Sequence, residues 1–140
     1  MGLLTYSYAK PLLLAMIGLF LVFAFVNILL WEGLDTFNSN SYSVASFFII
    51  AYCLLYYYQK LTNPATMSIF ESRDFYYVTG LLVYFTSCFF IFVSYRKLTQ
   101  ENVSNLGLLW MIHNVVFLLM CIFFLIGFLC KPSPQKYNLL

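Results

Sequence analysis

The sequence predicts an all-α fold, a four-helix transmembrane bundle, on three observations. Only 9% of its 140 residues are charged and 63% are hydrophobic. A soluble domain carries roughly 25% charge, so lipid has to be part of this chain's solvent. Four uncharged apolar runs, about 11–31, 43–58, 75–95 and 106–130, follow one another along the sequence. At 1.5 Å per residue, about 20 residues cross a hydrocarbon core of about 30 Å. Trp31, Tyr56, Tyr57, Tyr58, Tyr76, Tyr77, Tyr95 and Trp110 fall near the ends of these runs, where amphipathic rings settle at the headgroup level. The runs use nearly all the length, so residues 1–140 read as a single integral membrane domain.

The first run, Pro11 to Trp31, is bracketed by Lys10 and Glu32. It is longer than the apolar region of a signal peptide, about 7–15 residues, and ends without small residues for cleavage, so it reads as a retained helix. Met1-Gly2 is followed by Tyr6 where a myristoylation signal needs Ser or Thr, which sets lipidation aside. A polar connection rich in Asn, Ser and acid runs from Glu32 to Tyr42. The second run, from Ser43, closes on Tyr56-Tyr57-Tyr58-Gln59-Lys60. The longest loop, Leu61 to Asp74, contains Asn63-Pro64, an N-cap followed by proline at the first helical position. Met67, Ile69 and Phe70 then fit one short turn lying along the membrane surface. The third run closes on Arg96-Lys97 and the fourth on Lys131-Pro132. Barrel strands would alternate apolar and polar residues, and Leu12–Leu14, Phe47–Ile50 and Leu118–Leu129 do not.

Four spans place Lys10, Lys60, Arg73, Lys131 and Lys136 on one side of the membrane. Arg96 and Lys97 fall on the other, with Glu32, Asp35 and Glu101. Cytoplasmic loops hold the excess of Lys and Arg, so both termini are expected in the cytoplasm. The net charge of +2 is small and scattered, with no basic stripe to release counterions from a phosphate backbone. Nucleic acid is therefore not an expected partner. Cys53, Cys88, Cys121 and Cys130 form neither a CxxC pair nor a zinc spacing, and read as small buried hydrophobes.

No Asp, Glu, Lys or Arg lies inside any run. Proton-coupled pumps need ionisable groups within the membrane. Small four-helix multidrug exporters have this size but depend on a glutamate in their first helix, where this chain offers only Asn27. His113 is the sole histidine and is followed by Asn114, the only amide of the fourth run. One histidine supplies neither a haem ligand pair nor a metal site. It suits a pH-sensitive element or a hydrogen bond between helices, and Asn27 leaves the same two readings open. In the third run Gly80, Ser87 and Ser94 recur every seven residues with Tyr84 on the same face, and Thr79 and Thr86 form an adjacent row. Small and hydroxylated residues at that spacing suit close helix packing or, alternatively, the lining of a permeation path. Phe85, Phe89 and Phe92 oppose them and read as lipid-facing or aromatic packing. There is no phosphate loop, HExxH, nucleophile elbow or carboxylate pair, and no cofactor is implied.

The stretch Asp74-Phe75-Tyr76-Tyr77-Val78-Thr79-Gly80-Leu81-Leu82-Val83-Tyr84-Phe85-Thr86-Ser87 resembles a recurring segment of the form FW-x-x-x-G-x-L-x-Y-F-S. Leu109-Trp110-Met111-Ile112-His113-Asn114, with the apolar run after it, resembles the last helix of the same proteins. These are uncharacterised bacterial multipass inner-membrane proteins of about seven helices, and the resemblance covers roughly residues 43–128. It implies the bacterial inner membrane and carries no activity or catalytic residue. The smaller number of spans here implies a shortened relative, a fragment, or a subunit that completes itself by association. The reading that follows is a non-enzymatic interaction or signalling component, whose partners are the lipid bilayer and either a second copy or another membrane protein. The alternative is a small transporter or channel subunit for a neutral or apolar substrate.

Overall fold

A computed structural model describes residues 9–33, 37–62, 69–100 and 106–130. Among them there is no strand, and four helices are long and apolar enough to cross a membrane. They are α1 (Ala9–Asn27), continued by a π-turn at Ile28–Glu32, α2 (Ser39–Thr62), α3 (Arg73–Gln100) and α4 (Leu106–Leu129), with a short 3₁₀ turn at Ile69–Glu71 before α3. Of the short turn expected over Met67, Ile69 and Phe70, the last two lie in this element, with Phe70 exposed. Met67 and Asn63-Pro64 lie outside the described residues.

α2 and α3 overrun the expected spans by a turn or more, for reasons visible in the side chains. The second was expected from Ser43, yet α2 begins at Ser39. The Ser43 and Ser46 hydroxyls donate to the carbonyls of Ser39 and Tyr42, one turn back, so serines that usually compete with a helix are absorbed into this one. The third was expected to close at Tyr95, yet α3 runs on to Gln100, with Thr99 bonding back to the Tyr95 carbonyl.

Successive helices are antiparallel, as the pairings show. Asn27 meets Ser41 while Leu13 and Tyr52 line one cleft. Tyr57 meets Thr79 while Tyr42 meets Phe92. Tyr77 meets Gly127 while Tyr95 meets Trp110. α2 and α3 form the interior, with α4 packed along α3 and α1 joined to α2. In lipid there is no hydrophobic drive between helices, so close packing and hydrogen bonds have to hold them. On α2, Ser39, Ser46 and Cys53 recur every seven residues and are buried, and Cys53 packs with Tyr56 against Val78 of α3. This small-residue seam on α2 brings the two backbones together.

Between α3 and α4 the close approach rests on two glycines. A Cβ on Gly80 would lie 3.0 Å from the Phe123 Cβ and 3.3 Å from the Met120 carbonyl oxygen. One on Gly127 would lie 2.9 Å from the Tyr77 ring and 3.2 Å from the Arg73 carbonyl oxygen. Arg73 closes the same end: its Nε donates to the Cys130 carbonyl at 2.7 Å, placing a cation at the negative end of α4. Gly80→Val is expected to cost about 1–3 kcal/mol through overpacking against backbone atoms that cannot turn aside. Unfolding of the variant in mixed detergent micelles checks this, and an unchanged midpoint would contradict the packing described.

Candidate functional site

Most of the polar residues that the helices bury sit at one end of the bundle, where α1 turns into α2. The turn starts with Asn27, which is fully buried. In an α-helix residues five apart point about 140° away from each other, so Asn27 and Glu32 would diverge. The π-turn over Ile28–Glu32 widens the last coil and brings them onto one side, where the Asn27 Nδ2 donates to the Glu32 Oε2. Gly33 takes φ 72° and its N–H bonds the Ile28 carbonyl at 3.1 Å, a left-handed step that glycine takes without a side-chain clash.

Across the turn, α2 supplies the remaining partners. Asn27 Nδ2 also donates to the Ser41 Oγ at 3.0 Å, and its Oδ1 accepts from the Asn40 Nδ2 at 3.2 Å. The backbone N–H of Asn40 donates to Glu32 at 3.0 Å and 3.3 Å. That N–H belongs to the first turn of α2, which has no acidic residue of its own. Glu32 therefore caps α2 from the end of α1, accepting one of the N–H groups that a helix start leaves without a partner. The sequence placed Glu32 in a polar connection outside the membrane; it is 5% exposed and belongs to the helix end. The correction comes from the π-turn, which folds the connection back onto Asn27.

Beside this knot lies an aromatic cluster that ties α2, α3 and α4. Phe37 stacks on Tyr42 at 5.0 Å and meets Tyr95 edge-on at 4.6 Å and Trp110 at 6.0 Å. Ser39 Oγ donates to the Phe92 carbonyl. His113 enters from α4: its Nε2 lies 2.8 Å from the Tyr84 hydroxyl and its Nδ1 3.3 Å from the Asn114 Oδ1. An amide oxygen only accepts, so Nδ1 donates to it, while Nε2 and the Tyr84 hydroxyl share the second bond. Trp110 and Phe92 rings flank the imidazole at 5.0 Å and 6.0 Å. The arrangement is an interhelical bond inside an aromatic box. Among the described residues no group of three or more His, Cys, Asp or Glu gathers to hold a metal.

Farther along α1 and α2, away from the knot, an apolar cleft of about 310 Å³ opens between them, floored by Leu81 of α3. Leu13, Met16, Ile17 and Phe20 form one wall, and Ala45, Phe48, Ile49 and Tyr52 the other. No protein-family model, curated protein or solved structure matches the chain. The geometry alone therefore has to support a function.

The polar residues singled out in the sequence fall into separate places. Asn27 is the centre of the knot, and His113 with Asn114 stands in the aromatic box. Gly80 is buried against α4, but Ser87 is exposed and Ser94 half-buried, so the seven-residue row on α3 does not lie along one contact. Thr79 leaves its row to hydrogen-bond Tyr57 of α2 at 2.6 Å, while Thr86 is exposed. Phe92 of the opposing face is buried in the aromatic cluster rather than turned to lipid. Glu32, Asn40, Ser41 and Phe37 were not singled out; the one available signal was the clustering of polar residues between two apolar runs. Asn27→Leu removes the donors to Glu32 and Ser41 together and is expected to destabilise the α1–α2 hairpin by about 1–3 kcal/mol. Unfolding in micelles measures it, and Glu32→Gln should cost less because an amide oxygen still accepts from Asn40.

Proposed function

We infer that this chain is a non-enzymatic multipass membrane component, an interaction or signalling subunit that works through helix contacts within the bilayer. One observation carries the reading: the polar side chains of the helices are largely spent on one another, while α1 and α4 leave long apolar faces uncovered. Leu14, Leu19, Leu21, Val22 and Phe25 of α1 are all more than half exposed. Such faces suit lipid or another helix, and neither needs a nucleophile or a base. The cytoplasmic membrane is the proposed location, with both termini in the cytoplasm. Supporting this, Lys60 and Arg73 lie at the end of the bundle opposite the Asn27–Glu32 knot.

Photoreactive residues placed at Leu21 of α1 and Leu125 of α4 in living cells test the interaction reading. Discrete protein adducts are expected from at least one of these faces. Adducts to lipid alone at both positions would sink it.

The cleft favours a second reading, a transporter or channel subunit for a neutral or apolar substrate. Pockets between the helices of a bundle commonly hold ligands at volumes of about 300–1,000 Å³, and this one is lined by apolar side chains. Filling it with Ala45→Phe is then expected to abolish uptake of an apolar dye into liposomes by the purified protein. Wild-type protein that gives no uptake above empty liposomes would remove this reading.

A further inference from the structure

The cleft between α1 and α2 is lined by apolar side chains alone. Such a space stays dry, and left empty it forfeits the dispersion contacts of its lining. On α2 it runs from Ala45 to Tyr52, with Lys60 eight residues farther on. At 1.5 Å per residue the cleft starts about 12 Å inside the level of Lys60 and ends about 22 Å inside it. Both depths fall within a hydrocarbon core about 30 Å thick. What fills the cleft there is hydrocarbon, which the bilayer supplies as acyl chains.

The charges at one end of the cleft choose among lipids. Ala45, Ile49 and Tyr52 line it on α2, and Tyr56 continues their line by one turn. The Lys60 ammonium lies 5.5 Å from the centre of the Tyr56 ring, so this cation is folded back along that line toward the cleft. It is half-buried and makes no ion pair among the described residues. On α1, Leu13, Ile17 and Phe20 line the cleft, and Lys10 stands on the same line three residues earlier. Lys10 is the only charged residue of α1. From α3 comes one acid, Asp74, seven residues before the floor residue Leu81. Arg73 beside it is engaged by the Cys130 carbonyl. This end therefore sets two lysines against one aspartate, whereas the other end of α2 is capped by Glu32.

We propose that the cleft holds one acyl chain of an anionic phospholipid, whose phosphate is held by Lys60 and Lys10. The chain restores the contacts that the lining lacks, and each lysine at the membrane surface favours an anionic headgroup by about fivefold. Such a lipid is a resident of the fold. It goes beyond both readings above, because it needs neither a protein partner nor transport.

Brominated phospholipids, which quench tryptophan on contact, test this with the full chain in vesicles. In a background of Trp31→Phe and Trp110→Phe, Phe48→Trp puts the reporter in the cleft and Leu125→Trp puts it on the exposed face of α4. Brominated phosphatidylglycerol is expected to quench the cleft reporter at about a tenth of the mole fraction that brominated phosphatidylcholine needs. The two lipids are expected to quench the α4 reporter alike. Lys10→Gln together with Lys60→Gln should remove the preference, and Asp74→Asn should strengthen it. Equal quenching in the cleft, the same preference at both reporters, or a preference that survives loss of both lysines would each overturn the proposal. So would a cleft reporter that neither lipid reaches, the result expected if a second copy or another protein filled the space. Wild-type protein in uncharged micelles supplies a check that does not depend on the folding of any variant. Long-chain phosphatidylglycerol is expected to raise its unfolding temperature more than long-chain phosphatidylcholine or dihexanoyl phosphatidylglycerol does, and equal shifts from all three would overturn the proposal.

Discussion

Asn27 has an amide with two N–H donors and one oxygen, and the fold gives each of them a partner drawn from Glu32, Asn40 and Ser41. A helix surrounded by hydrocarbon cannot rely on water for this, and an unsatisfied polar group there costs several kcal/mol. The requirement shapes this end of the structure. It explains the widened π-turn, which carries Glu32 to the same side as Asn27, and the left-handed Gly33 that lets the chain leave the turn. It also bears on where α2 starts, since the Asn40 N–H of its first turn lies beside the carboxyl group that accepts from it. The bond between Tyr84 and His113 follows the same rule between α3 and α4.

The other half of the structure follows from packing. α2 and α3 come together over Ser39, Ser46 and Cys53, and α3 and α4 over Gly80 and Gly127. Aromatic rings then fill the space at the knot end, with Phe37 reaching from the α1–α2 connection as far as Trp110. α1 has no comparable seam. Its hydrogen bonds to α2 are concentrated at one end, and the rest of its length borders the cleft.

The fold class was legible in the sequence because four apolar runs and the aromatic residues at their ends are one-dimensional signals. Gly80 was also readable, since a glycine among large side chains at helical spacing marks a close approach. Ser87 and Ser94 share its spacing but not its surroundings; a seven-residue period drifts by about 20° per repeat on a straight helix, and α4 covers only part of the face. The small seam on α2 went unnoticed because its first member, Ser39, lies in the polar connection, which left only Ser46 and Cys53 inside the expected run. Glu32 was missed for a different reason. Periodicity arguments assume 3.6 residues per turn, and a π-turn breaks that assumption at the one place where it decides which way a carboxyl group points.

The spacing of the knot also bears on how the chain is made. Asn27 and Glu32 close α1, and the groups that satisfy them, on Asn40 and Ser41, follow within fourteen residues. A loop this short costs little entropy to close. The hairpin of α1 and α2 therefore has these partners of Asn27 and Glu32 as soon as the start of α2 leaves the ribosome. α3 and α4 carry their own closing contacts, from Arg73 with Cys130 to Tyr95 with Trp110. Each hairpin can thus enter the bilayer as a unit with its polar ends already matched, and Ser39, bonded to the Phe92 carbonyl, joins the second to the first once both are in place.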